Sequence, residues 1–469
     1  MHSSPLIYEN NTCAWLNALG RAQGRAVALG SVPDSEWDEI ASWGFDAVWL
    51  MGVWERSPSS VAIALSHPEL PNEFRAALPD FQPADVAGSP YSVHRYVVDE
   101  RFGGTEGLET ARAALARRNM GLILDFVPNH VAVDHPWTVS HPDYFIHDDS
   151  GAIANGRDPY FPPWTDTAQT NIFQSAARAA MVETLRSIAA QCDGVRCDMA
   201  MLELNSVFEK TWGSLAGAVP ATEFWDEAIP AVRAAQPGFV FIAEVYWGLE
   251  AELQKHGFDY CYDKQLYDRL GDGNAPAIRE HLRGEAGDPS KLLRFIENHD
   301  ETRAAARFGG AEERAAAAAI ATLPGARLFH QGQFEGRKVK APVQLCRWRD
   351  EPADAALAAF YRTLLAAARL CTGEWNMCDV TGWPDNASCE NLLAWCWRSA
   401  EQRALIVINY SQAASQGIVH IPWSDLRGRN WTWRDPLTTE RFDRSGDDMA
   451  EHGLYVARDA WQMHFLVAE

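Results

Sequence analysis

One alternation constrains this chain more than any other feature. From residue 1 to about residue 375, short apolar runs rich in branched and aromatic residues alternate with longer Ala-, Leu- and Arg-rich stretches of helical period. Parallel strands cannot be joined by tight turns, so each strand in such a pattern needs a helix to carry the chain back to its starting edge. The strand candidates are residues 6–8, 47–51, 122–127, 194–198, 239–245, 258–262, 292–297 and 326–330. Helices are predicted over 106–118, 175–191, 311–323 and 352–370, each amphipathic or alanine-rich. Eight such repeats predict an α/β fold closed into a (β/α)8 TIM barrel.

Two connections are too long for ordinary βα loops of ~2 to 6 residues: 54–95 and 131–171. Long loops after barrel strands build the rim of the active site. Within the second, residues 143–166 are rich in Asp, Gly, Pro and aromatics and show little periodicity. The stretch 131–171 is therefore expected to be a small excursion domain walling a cleft, set into a barrel formed by 1–130 and 172–382. Beyond residue 383 the pattern changes to short alternating runs at 404–409, 416–421, 431–434 and 462–467, separated by turn residues. A compact antiparallel β domain over 383–469 follows.

Composition removes several classes of function. The 41 basic and 63 acidic side chains give a formal charge of −22, which repels phosphate backbones and anionic membranes. Nucleic acid and membrane are thus excluded as partners, and no apolar run reaches the ~20 residues that span a bilayer. The start, MHSSPLIYEN, has neither a basic n-region nor an apolar h-region, so the cytoplasm is the expected compartment. The nine cysteines show no tight spacing, and Cys192, Cys197 and Cys261 fall in apolar runs, as buried reduced thiols do.

Four segments end apolar strands with ionisable groups, and in a barrel that end faces the catalytic mouth. DFVPNH (125–130) supplies Asp125, Asn129 and His130; GVRCDMA (194–200) supplies Arg196 and Asp198, two apart and so on one face of the pleat. An arginine beside a carboxylate favours the anion, as a nucleophile requires. FIAEVYW (241–247) sets Glu244 in an apolar context that raises a carboxyl pKa and keeps its proton available. FIENHDETR (295–303) adds His299 and Asp300. Two carboxyl groups in opposed environments are the acid and base of glycoside hydrolysis, and a third can bind sugar hydroxyls.

In this order and spacing the four segments resemble the signature regions of the α-amylase family of glycoside hydrolases, a likeness that covers the organisation of residues 1 to 375. It implies Asp198 as nucleophile, Glu244 as general acid/base and Asp300 as transition-state stabiliser. It further implies that Arg196 orients the nucleophile, that Asp125 braces it, and that His130, His299 and Tyr91 (in GSPYSVHRY) bind the sugar. A retaining hydrolase of short α-glucosidic oligosaccharides or glucosides is expected, with α-transglycosylation as the alternative and a non-catalytic binding subunit as a further one. The partner is a small carbohydrate.

The sequence also departs from the family. A Lys-His pair that follows the nucleophile in many starch-cleaving members is replaced by Met199, Ala200, Met201 and Leu202, which argues against gripping long polymers. The closest stretch to the family's fifth region is DTAQTN at 166–171. No cofactor or metal site is expected. Asn129 stands where some members hold structural calcium, but that ion needs ~6 to 8 oxygens and no companion set is visible. His130 and His299 lack the spaced partners a zinc site needs. In LFHQGQFEGR (328–337), Gln331, Gln333, Glu335 and Arg337 are either sugar contacts or loop capping, and Trp49 and Trp431 read as core.

Overall fold

A computed structural model describes residues 4–284 and 287–469. Eight parallel strands close into a barrel in sequential order: β1 Leu6–Asn11, β2 Ala47–Met51, β3 Gly121–Phe126, β4 Gly194–Cys197, β5 Val240–Ala243, β6 Tyr260–Tyr262, β7 Leu292–Arg294 and β8 Ala326–His330. β8 pairs back onto β1, Arg327 beside Leu6 and His330 beside Glu9, which seals the cylinder. Strands packed by side chains within and helices without are apolar on both faces, and β2 and β8 are buried at every position.

The helices lie where the sequence places them, at Gly104–Ala116, Ser175–Ala189, Gly310–Thr322 and Ala355–Ala368. Gly310–Thr322 is buried continuously from Ala315 to Thr322, because the C-terminal domain covers its outer side. Trp395 and Trp397 of that domain donate their indole N–H groups to the Thr322 hydroxyl and carbonyl at 3.2 and 2.7 Å. Among the described residues no helix is long and apolar enough to cross a membrane.

The C-terminal part is antiparallel, a six-stranded sheet packed with a three-stranded one. It begins earlier than the pattern change at residue 383 suggests: Glu374–Met377 pairs with Leu392–Arg398, and Asp379–Thr381 with Ser415–His420. Neither early strand is clearly alternating or deeply buried, so neither carries a periodic signal. In the excursion, His130–Ala132 pairs with Thr167–Gln169 at its base. Cys13, in the helix after β1, is joined to Cys346 in the loop after β8, with Cα atoms 4.9 Å apart. Cys192, Cys197 and Cys261 are free and buried.

Candidate active site

Asp125, Asp198 and Glu244 stand at C-terminal strand ends, and Asp300 lies in the loop that follows β7. Asp125 is the penultimate residue of β3 and pairs in register with Arg196 of β4. Asp198 and Glu244 directly follow β4 and β5, and the ladder continues past both. Asp198 N–H donates to the Phe126 carbonyl at 2.8 Å, Glu244 N–H to Cys197 at 3.0 Å, and Ala200 N–H to Glu244 at 2.9 Å. These bonds fix the backbone from which the two carboxyl groups project.

One guanidinium joins them. Arg196 Nη1 donates to Asp198 Oδ1 at 2.6 Å, while Nη2 lies 2.7 Å from Glu244 Oε2, a charge contact without hydrogen-bond geometry. Tyr246 donates its hydroxyl to Glu244 Oε1 at 2.7 Å, and Met199 N–H donates to Oε2 at 2.7 Å. Burial pushes Glu244 up to about 7, against Arg196 and with the help of Asp198 and Asp300. Asp198 is also raised by burial, although Arg196 opposes the rise. Arg196 does pull Asp198 down, as their spacing in the sequence leads one to expect, but the net shift is upward, because Asp198 lies deep in the mouth and shares its arginine with a second carboxyl group.

A second cluster faces the first. His299 Nδ1 lies 2.5 Å from Glu9 Oε1, and its Nε2 lies 2.9 Å from Asp300 Oδ2 and 2.7 Å from the Tyr91 hydroxyl. Burial alone would lower the imidazole pKa, but Asp300 and Glu9 lift it to about 10. Partial desolvation pushes Asp300 up as well, yet His299, with Arg196 and Lys340 adding, holds it below the usual carboxylate range. The Asp300 side chain keeps 45% of its surface open, as a group that meets an incoming ligand does. Tyr91 stacks on the His299 ring at 5.3 Å and lies under the Arg196 guanidinium at 5.1 Å, so the two clusters share it.

Asp125 accepts from Trp49 Nε1 at 3.2 Å and from Gly52 N–H at 2.9 Å, and burial raises its pKa. Gly52 has φ +74°, which glycine adopts freely and which aims its N–H inward. His130 is buried beside the Asn129 amide (3.2 Å) and the Trp164 ring, and burial lowers it to about 4. It is therefore a neutral ring at the foot of the excursion. The Asn129 side-chain oxygen is taken by Gln169 Nε2 at 2.9 Å, and among the described residues no three His, Cys, Asp or Glu are grouped to hold a metal ion.

Several contributors escape sequence reasoning. Glu9 lies outside all four motifs, although an ionisable residue directly after an apolar run at the catalytic side is a visible signal. Met199 acts through its backbone: at φ +44° it turns its N–H onto Glu244, a strained conformation no side-chain motif announces. Trp49 is core, as expected, and also braces Asp125. In 328–337, Gln333 accepts from His330 N–H at 3.2 Å and donates to Tyr361 at 3.0 Å, so it caps the loop. Arg337 instead stacks on Trp348 at 4.6 Å. Beside the Glu244 side, Trp247 (φ +64°, 38% exposed) meets Tyr160 of the excursion edge-on at 4.8 Å.

No protein-family model matches the chain. It is 27% identical over 271 residues to the α-amylase MalA of Haloarcula japonica, covering 54% of this chain and 38% of that protein. It is 26% identical over 275 residues to an α-1,4-glucan:maltose-1-phosphate maltosyltransferase of Streptomyces coelicolor, covering 58% and 37%. The chain thus spans less than half the length of these two curated relatives. The solved maltogenic α-amylase AmyB of Thermotoga neapolitana superposes over 99% of both chains with a TM-score of 0.74 at 17% identity, a likeness of fold.

Proposed function

We propose that the chain is a member of the α-amylase family of glycoside hydrolases, supported by its likeness to α-amylases in sequence and fold, and that it is a retaining enzyme acting on α-glucosidic bonds of short oligosaccharides or glucosides. The observation that carries this reading is the Arg196 guanidinium between Asp198 and Glu244 at adjoining strand ends. Asp198 attacks the anomeric carbon while Glu244 gives its proton to the departing oxygen, leaving a glycosyl ester on Asp198. Glu244, now an anion held by Arg196, Tyr246 and Met199 N–H, then takes a proton from the acceptor, whose oxygen bonds to the anomeric carbon as the ester breaks and Asp198 leaves as a carboxylate. Asp300 binds ring hydroxyls, and Tyr91 offers a flat face to the sugar beside His130 and His299. Retention of all three acids weighs against a binding subunit.

The exposed Trp247 and Tyr160 pair favours a second reading, α-transglycosylation, because an aromatic edge beside the acid can seat a sugar in place of water. Cytoplasmic residence belongs to the proposal as well: seven buried free cysteines suit reducing surroundings, with Cys13–Cys346 the exception. The test is incubation with maltose, isomaltose, sucrose, trehalose and maltoheptaose, with and without added glucose, products being followed by NMR. The reading expects α-configured first products from a short substrate, and β-configured products or no turnover of any of the five would contradict it.

A further inference from the structure

We propose that Glu9, two residues before the end of β1, is a positioning residue of the catalytic mouth: it grips His299 Nδ1, so that the ring's other nitrogen is held as a donor toward Asp300. The inference rests on the glycosidase reading above and adds to it a residue from a strand that none of the four motifs touches.

The geometry dictates the protonation. A neutral imidazole donates from only one nitrogen. Were that proton on Nδ1, facing Glu9 at 2.5 Å, the bare Nε2 would set its lone pair against an Asp300 carboxylate oxygen 2.9 Å away. Were it on Nε2, the same conflict would fall on Glu9. With both carboxyl groups as anions, only the doubly protonated ring satisfies both. The other groups facing His299 are the Tyr91 hydroxyl, Asp125 from β3 and His330 from β8. His330 is itself lowered by burial to about 3, so it brings no competing charge. The Trp49 ring closes the remaining side edge-on at 5.4 Å.

Burial shows what Glu9 is committed to. Its side chain is 0% exposed, and among the described residues Oε2 has no hydrogen-bond partner, while Oε1 meets His299. Such a carboxylate is costly to bury unless it is matched by a cation. With Glu9 in place the imidazolium is fixed in orientation by a strand rather than by the loop that carries it, and Asp300 is held ionised by a cation that cannot turn away.

Glu9→Gln tests this, because it keeps the shape and removes the charge. In 15N NMR, with His299 assigned by its loss in His299→Asn, the wild-type ring should stay protonated through pH 8. In Glu9→Gln its midpoint should fall by about one pH unit or more. On an active substrate kcat should drop roughly tenfold with KM little changed, and Glu9→Asp should recover part of both. The NMR arm needs no turnover, so an inactive wild type would sink the glycosidase reading while still deciding the Glu9–His299 link. An unchanged His299 midpoint in both Glu9 variants overturns the inference, even if they melt earlier, since that is the result of a merely structural role.

Discussion

Arg196 lies between Asp198 and Glu244, and His299 lies between Glu9 and Asp300. A guanidinium keeps its charge at any working pH, whereas an imidazole buried this deeply is charged only because its carboxylates make it so. The two triads therefore place protons differently. Around Arg196, one permanent cation serves two buried carboxyl groups whose burial raises both, and Glu244 at about 7 is poised to carry the shared proton. Around His299 the cation takes the proton, and Asp300 stays an anion. An acid and two anions can then coexist in one mouth because the cations between them are of different kinds.

The sharpest way to break the comparison is to remove the carboxyl groups of the arginine triad. Asp198→Ala and Glu244→Ala should each lower kcat on the order of a thousandfold or more, with circular dichroism unchanged. In the wild type, activity should fall as pH rises through about 7, where Glu244 loses its proton. An alkaline limit well above that value would show that Glu244 is not the proton donor.

A smaller effect comes from a buried carboxyl group that has no cation bonded to it. Glu203, five residues after Asp198, is 0% exposed, neither oxygen has a hydrogen-bond partner, and burial raises it to about 8 with Arg178 only opposing from nearby. Its folded pKa lies above the unfolded value, so its contribution to stability is intact at low pH and is lost as pH rises toward 8. Glu203→Gln should therefore raise the melting temperature at pH 8 by several degrees and much less at pH 5. Equal gains at both would show that its charge is not the cause. The smallest effect is expected at the rim: Trp247→Ala should leave hydrolysis within a few-fold and lower the ratio of transfer to hydrolysis, read from product ratios with added glucose.

The barrel is legible in the sequence because strands covered on both faces read as unbroken apolar runs, and 47–51 and 326–330 coincide with β2 and β8. Helix ends are legible to within a few residues, since the caps rather than the pattern decide where they stop. The strands at 374–381 are not, being short and half exposed. In the site, sequence spacing places Arg196 and Asp198 on one face, and the structure keeps them 2.6 Å apart. Spacing does not reveal that the same arginine reaches Glu244, because that contact depends on the offset of β4 against β5. Nor does it reveal Glu9, which meets His299 only when the barrel closes and β1 returns beside β8.

The central claim is that Asp198 becomes covalently glycosylated. Brief incubation with an α-glucosyl fluoride, acid quenching, proteolysis and mass spectrometry would locate the sugar. The account predicts one hexosyl unit on the peptide containing Asp198, absent from Asp198→Ala. A hexosyl unit on any other residue, or turnover that yields β-glucose first with no adduct, would contradict it.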